Sequence, residues 1–407
     1  MIIKKLLLTM LIAISTFSYA QTGHYYPADR YSNSLISDLC QDKYGNIWIA
    51  TDYGLNKFDG YQFTSYLHDD TDSTSICSNA VVELLCDSKG RLWVGTNRGL
   101  DLYNDDLNAF IHYKFPADVR PRISDVVELS DGRILFCTAG YGTFVIGEDN
   151  VLKTTEEFSA DANDKFFSYA YVDSKNRFWK GAYNNSLLMK ADGKFHSFVS
   201  TVGSPVGIVE RADEILIVCL HGIMLYKNGK MQESDIDMSV LKSTDALLSV
   251  AKMDSNGNIY IGTRGSGLYY IPMGSHTLER VDVDALGVNL NTAKVWSMLF
   301  DHHGNMWLGL QRKGLLMVPL RPLQFSAWSF EMQNLQVGSS ITSVCLGDDG
   351  IIWSAVQGVG VYGFDRKGHV VAHPKAPAAI EFIFRDRNDN YWVGTDKHLF
   401  SYDPLTG

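Results

Sequence analysis

An all-β protein assembled from repeated four-stranded sheets is what this 407-residue sequence predicts, and three observations predict it. The first is self-similarity. The stretch "DKYGNIWIATDYGLNKFDG", residues 42–60, returns as "DSKGRLWVGTNRGLDLYND" from Asp87. Anchored on Trp48, its equivalents are Trp93, Leu135, Trp179, Ile217, Tyr260, Trp307, Trp353 and Trp392, with a mean step of 43 residues. The second is burial pattern: "NIWIAT" and "RLWVGT" are almost continuously apolar, as in a strand covered on both faces. The third is turn chemistry. Asp-x-x-Gly (Asp42 to Gly45, Asp87 to Gly90) makes a tight hairpin, the carboxylate capping N–H groups and the glycine taking a positive φ. Four antiparallel strands in each period of about 43 residues match the blade of a β-propeller. The expected architecture is a seven-bladed ring followed by the first two blades of a second propeller.

The elements follow in order. "MIIKKLLLTMLIAISTFSYA" has Lys4 and Lys5, an apolar run from Leu6 to Ile14, and Ser18 and Ala20 before a cleavage point. It reads as a signal peptide over residues 1–20. "GHYYPADRYSNSL" from Gly23 has the form of an outer strand and linker without the inner strands of its own blade. Tyr25 and Tyr26 are therefore expected to pair near Leu315 to Val318 and close a ring, giving a propeller over residues 21–324. Within each copy a first strand such as "AVVELLC" precedes the Asp turn, and a glycine turn (Gly54, Gly99, Gly267, Gly314) leads to the third strand. An outer strand follows, with Phe63 and Tyr66, Phe110 and Tyr113, or Phe195 and Phe198. The tryptophans are expected to wedge between blades. After the seventh copy, Phe325 to Trp328 begin the same outer-strand logic again, so residues 325–407 read as two blades of an incomplete propeller in a longer protein.

Composition narrows the chemistry. The formal charge of −10 becomes −12 without Lys4 and Lys5, which favours solubility and argues against nucleic acid as a partner. With 45% apolar residues there is core material for a large domain or two. Six cysteines in an oxidising compartment suggest disulfides, but Cys40, Cys86 and Cys345 end first strands, and Cys137 and Cys219 follow the anchor by two residues. Repeat-equivalent positions in different blades are expected to lie beyond bridging distance, so six free thiols are expected, with Cys77 and Cys86 the pair to check. His302 and His303 fall in a hairpin turn, and "GTRGSG" from Gly262 lacks the helix of a phosphate loop. No catalytic residues, metal or cofactor are assigned.

The motif D-x-x-G-x-[IL]-W-[IV]-G-T-x-x-G-L, with an aromatic and an acid after it, resembles the repeat of two-component regulator propellers. "SLISDLCQD" resembles that family's opening. The resemblance implies the extracytoplasmic sensor part of a hybrid two-component regulator, periplasmic, detecting a glycan fragment or other small ligand. It further implies a downstream membrane segment that alone would touch the membrane, and an output module, such as a histidine kinase, that would carry any enzymatic activity. Homodimerisation of the full-length protein is left open. The alternative is an exported propeller enzyme acting on polysaccharide, a lyase or glycosidase. Loops after the second strands gather on one propeller face, vary between copies, and carry the candidate ligand-binding residues. These are Tyr53, Asn97, Arg98, Tyr141, Asn184, His221, Arg264 and Arg312.

Overall fold

The computed structural model describes residues 21–158, 169–181, 185–241, 246–281, 283–284, 288–320, 340–347, 350–365, 368–376 and 379–404. The signal-peptide segment, Asn184 and the Phe325–Trp328 stretch lie outside them. The chain divides into two compact units, Met1–Pro322 and Leu323–Gly407. Among the described residues the first unit holds seven four-stranded antiparallel sheets, and its helical elements are short 3-10 turns.

Six of these sheets are consecutive in sequence. Blade 1 runs from its first strand Ile36–Gln41 through Ile47–Thr51 and Gly54–Phe58 to the outer strand Phe63–Tyr66. Blade 2 repeats this with Val81–Cys86, Leu92–Thr96, Gly99–Asn104 and Ala109–Tyr113. Blades 3 to 6 begin at Ile123, Tyr169, Pro205 and Leu248. Blade 7 is composite. Val295–Phe300, Asn305–Leu310 and Gly314–Pro319 are completed by His24–Tyr26, which pairs Tyr25 with Leu316 and Tyr26 with Leu315. The first strands neighbour one another around the axis, and blade 7 packs on blade 1 through Ile36, Leu39, Ile49, Trp307 and Leu315. The ring is therefore closed.

The repeat has a physical core. In "D-x-x-G-x-x-W" the aspartate accepts two turn N–H groups on one oxygen and the tryptophan indole on the other. In blade 1, Asp42 Oδ1 accepts from Tyr44 N and Asn46 N, both at 2.9 Å, and Asp42 Oδ2 from Trp48 Nε1 at 2.8 Å. The same indole bond recurs at Trp93, Trp179, Trp307 and Trp392. Blades 3, 5 and 6 lack the tryptophan; in blades 3 and 5 the aspartate position is Leu129 or Arg211, whereas blade 6 keeps Asp254 with Tyr260 as its anchor. In the turn after the second strand, "A-T-D-Y-G" in blade 1, Thr51 Oγ1 donates to Gly54 O at 2.7 Å. A glycine two residues past the anchor permits close blade contact: a Cβ at Gly309 would stand 2.7 Å from Ile36 Cγ2 of blade 1.

The second unit contains one four-stranded sheet, from Ile341–Leu346 to Val370–Ala372, and one three-stranded sheet, from Ile380–Arg385 to Leu399–Tyr402. Its register, including the irregularity near the start of each first strand, copies that of the ring. All six cysteines are free. One expectation needs correction. The thiols of Cys40 and Cys86 share one core cluster at the blade 1–blade 2 interface, and the neighbouring Cys86 thiol together with burial pushes the Cys40 thiol well above its ordinary range. Their places in the two first strands differ by one register step, which turns the side chains toward each other.

Candidate functional site

The second strand of each blade runs away from the Asp turn, so its far end lies beside the linker that enters the next first strand. All the described candidate residues sit in turns at this end. Tyr53 and Tyr141 are each 52% exposed, and Asn97, Arg98, His221, Arg264 and Arg312 are exposed as well. Asn97 Oδ1 accepts from Ser78 Oγ at 2.6 Å, the Arg264 guanidinium lies 5.0 Å from the Trp296 ring centre, and Arg312 adopts φ +59°. Apart from the adjacent Asn97 and Arg98 the residues occupy different blades, so the fold spreads them around the face rather than gathering them.

Arg98 has a concave neighbourhood on blade 2. A cleft of about 400 Å³ is bounded by three segments: His68 and Cys77 of the linker entering blade 2, Arg98 to Leu100 of its turn, and Tyr113 to Arg120 leaving its outer strand. Arg98, Lys114 and Arg120 are exposed, and among the described residues none of the three has a hydrogen-bond or ion-pair partner for its charged group. Asp118 is the exposed acid of the lining. His68 is held by its own linker, Nδ1 at 2.7 Å from Ile76 O and Nε2 at 3.1 Å from Asp70. In a chain with formal charge −10 this is a locally cationic concavity, with Tyr113 and Phe115 as apolar wall.

Beneath the cleft Asp101 is fully buried on the third strand. It accepts the Cys77 N–H at 2.7 Å and lies 2.6 Å from Nδ1 of His112, its cross-strand partner. That bond raises the His112 pKa, and burial followed by the Asp101 charge pushes the Cys77 thiol upward.

A second polar group lines the axis. Asp38, Glu83, Asp125, Tyr169 and Lys252 all come from first strands. Asp38 accepts Leu84 N at 2.9 Å, Asp125 accepts Ala170 N at 2.6 Å, and Tyr169 Oη accepts Ile208 N at 3.2 Å, each fastening one first strand to the next. Burial, then the Asp38 charge, raises Glu83 well above the usual carboxyl range. Burial pushes Asp125 up to about 7. For Lys252, burial works downward and the surrounding Tyr169, Asp38, Glu83 and Asp125 outweigh it. Its side chain is open to the channel yet ringed by protein. This group's role is to join blades.

Comparisons with known proteins agree with this fold. Residues 30–53 and 75–98 match the model of the two component regulator propeller. Over 52 residues the chain is 48% identical to histidine kinase P4 of Formosa agariphila, a match that spans 13% of this chain and 4% of that protein. An extracellular domain assigned to a hybrid two component system of B. thetaiotaomicron is 19% identical and superposes with a TM-score of 0.63, over 95% of this chain and 54% of its own. The virginiamycin B lyase of Staphylococcus aureus is 16% identical with a TM-score of 0.57, over 71% of this chain and 96% of its own. The chain thus spans about half the length of that extracellular domain. Two of its repeats match the two component regulator propeller. Among the described residues no helix is long and apolar enough to cross a membrane.

Proposed function

We propose that this chain is the ligand-sensing propeller region of an exported two-component signalling regulator, acting in the periplasm on an anionic glycan fragment. The observation that carries the reading is the cleft at blade 2, where Arg98, Lys114 and Arg120 converge unpaired beside aromatic side chains. Unpaired guanidinium groups offer bidentate, charge-assisted bonds to carboxylate or sulfate, and an aromatic wall suits the face of a sugar ring. Binding there would tie the linkers on either side of blade 2 together. A downstream membrane segment and output module would convert that change into a signal, in a longer protein whose assembly could be a homodimer. The comparison with the lyase supports a second reading, an exported propeller enzyme on polysaccharide, for which the Asp101–His112 pair would be the acid–base candidate.

Calorimetry with a sulfated or uronate-rich oligosaccharide tests the first reading. Arg98→Ala and Arg120→Ala should each weaken binding by about 1.5–3 kcal/mol, the range for hydrogen bonds to charged groups, with steep salt dependence. Affinity unchanged in Arg98→Ala, Arg120→Ala, Arg264→Ala and Arg312→Ala would remove the loop face from consideration. Chain shortening of the oligosaccharide by wild-type protein, abolished in His112→Gln, would favour the enzyme.

A further inference from the structure

Blade 1 and blade 2 solve one structural problem with different chemistry. In each, the linker entering the blade must have its N–H capped by a side chain from the third strand. In blade 1, Asn56 Oδ1 accepts Ser32 N at 3.0 Å and Ser65 Oγ at 2.6 Å, and Asn56 Nδ2 donates to Ser32 Oγ at 2.8 Å. Ser32 Oγ sits 3.3 Å from Thr51 Oγ1. In blade 2 the same positions are Cys77, Asp101 and His112. Asp101 takes the Cys77 N–H, His112 faces Asp101 as Ser65 faces Asn56, and Cys77 Sγ sits 3.1 Å from Thr96 Oγ1. The capping needs only a neutral amide and two hydroxyls, as blade 1 demonstrates. Blade 2 instead places a thiol, a carboxylate and an imidazole there, with one donor atom from each within 4.8 Å of the others.

We propose that Cys77, Asp101 and His112 form a metal site for a zinc-class divalent ion. The donor set is mixed sulfur, nitrogen and oxygen, which suits a borderline-soft d-block ion and disfavours magnesium or calcium. Three protein ligands leave one position of a tetrahedral ion open. Cys77 and His112 both line the blade 2 cleft, so that position faces it. A carboxylate buried as completely as Asp101 requires compensation, and a divalent ion supplies it without help from a protonated His112. Binding expels the Cys77 thiol proton to solvent, and the proton between Asp101 and Nδ1 of His112 passes to Nε2 of a neutral ring or to solvent from a charged one, the sulfur and nitrogen lone pairs forming the metal bonds. The inference is independent of which ligand enters the cleft from above.

The test uses the whole chain, stripped with chelator and titrated with Zn²⁺ by calorimetry, then with Co²⁺ to read thiolate coordination in the visible spectrum. Wild type should take up a single equivalent of each, with proton release. The triple variant Cys77→Ser, Asp101→Asn, His112→Ser installs the set that blade 1 already uses, so the fold should persist and metal uptake should vanish. Metal protection supplies a reading that needs no variant: bound Zn²⁺ should block alkylation of Cys77 in peptide maps while leaving other cysteines unchanged. Thr96→Val, which removes the hydroxyl beside the sulfur, should weaken binding by roughly 10- to 100-fold, as expected for loss of an outer partner. Absence of uptake by wild type, equal uptake by the triple variant, or unaltered Cys77 alkylation with metal present would each overturn the proposal.

Discussion

The first strands of the two units carry the same pattern and the same register but meet different surroundings. In blade 1, Ile36 is 2% exposed and Leu39 5%; their counterparts in the second unit, Ile341 and Val344, are 48% and 60% exposed. The anchors do not differ in this way, since Trp48 and Trp353 are both fully buried. A blade's internal pairing is thus specified by its own strands and turns, since Trp353 is buried without the Asp–Trp staple that Trp48 has. Burial of its flanks depends on having a neighbour on each side, which the closed ring provides to every blade. Among the described residues of the second unit, no further sheet covers Val344, Leu346, Phe384 or Leu399.

The largest test of this contrast is to separate the units. Residues 21–324 expressed alone should remain soluble and unfold cooperatively, whereas the full chain should aggregate or be trimmed near residue 320 by protease. A protease-resistant monomer that retains Trp392 in a packed environment would break the comparison. Next comes the staple. Asp87→Ala leaves the Trp93 indole N–H and two turn N–H groups without their acceptor. It should destabilise the ring by about 3 kcal/mol in chemical denaturation, the upper end for a buried unsatisfied group. A smaller penalty is expected where blades touch. Gly309→Ala drives a Cβ against buried Ile36 and should lose about 2 kcal/mol, typical of overpacking. The equivalent Gly394→Ala meets Phe382, whose ring is 40% exposed and free to yield, so its loss should be well below that of Gly309→Ala. Equal losses would show that flank burial does not separate the units.

The fourth test has the opposite sign. Trp353 Nε1 is buried without a partner among the described residues because Gly347 stands where the other tryptophan-bearing blades carry the aspartate. Gly347→Asp should raise the stability of the second unit by about 1 kcal/mol, the net worth of a typical hydrogen bond. The smallest effect should appear on one side of a titration only. Asp125 and Glu83 have folded pKa values raised above their unfolded ones, so their favourable contribution is complete below about pH 4 and is lost as pH rises through each raised value, about 7 for Asp125. Asp125→Asn should match wild type in acid and exceed it in stability at pH 8. The second unit has Ser343 and Phe382 at the equivalent places and should show no such difference.

What could be read from the sequence follows from distance along the chain. Asp42 and Trp48 lie six residues apart, and a pairing so local repeats visibly whenever its blade does. The closing strand was legible for the same reason, since Tyr25 and Tyr26 imitate other outer strands. Cys77, Asp101 and His112 come from a linker and two separate strands, and only the register of His112 opposite Asp101 unites them. The axial acids were hidden by the irregularity between Ile36 and Asp38, which turns a residue in a half-polar strand toward the channel. Arg98 could be placed in an exposed turn because such turns can be counted along the repeat. Lys114 and Arg120 were missed because they lie on a linker with no repeat to follow. The contact between Cys40 and Cys86 was misjudged because repeat-equivalent positions were compared, whereas the two thiols differ by one step.

Closing the ring with His24–Tyr26 also fixes an order of events. That strand leaves the ribosome, and crosses any export channel, long before Leu315 and Leu316, the residues it must pair with. Until Gly314–Pro319 has followed, six blades can pair internally while the first and the seventh present bare edges. Such sequence-distant pairing is intrinsically slow, because loop entropy is lost before any contact rewards it. The interval before closure is when this protein is most in need of a holding chaperone, and a tether that immobilised the segment ahead of His24 would act on the latch of the ring rather than on its rim.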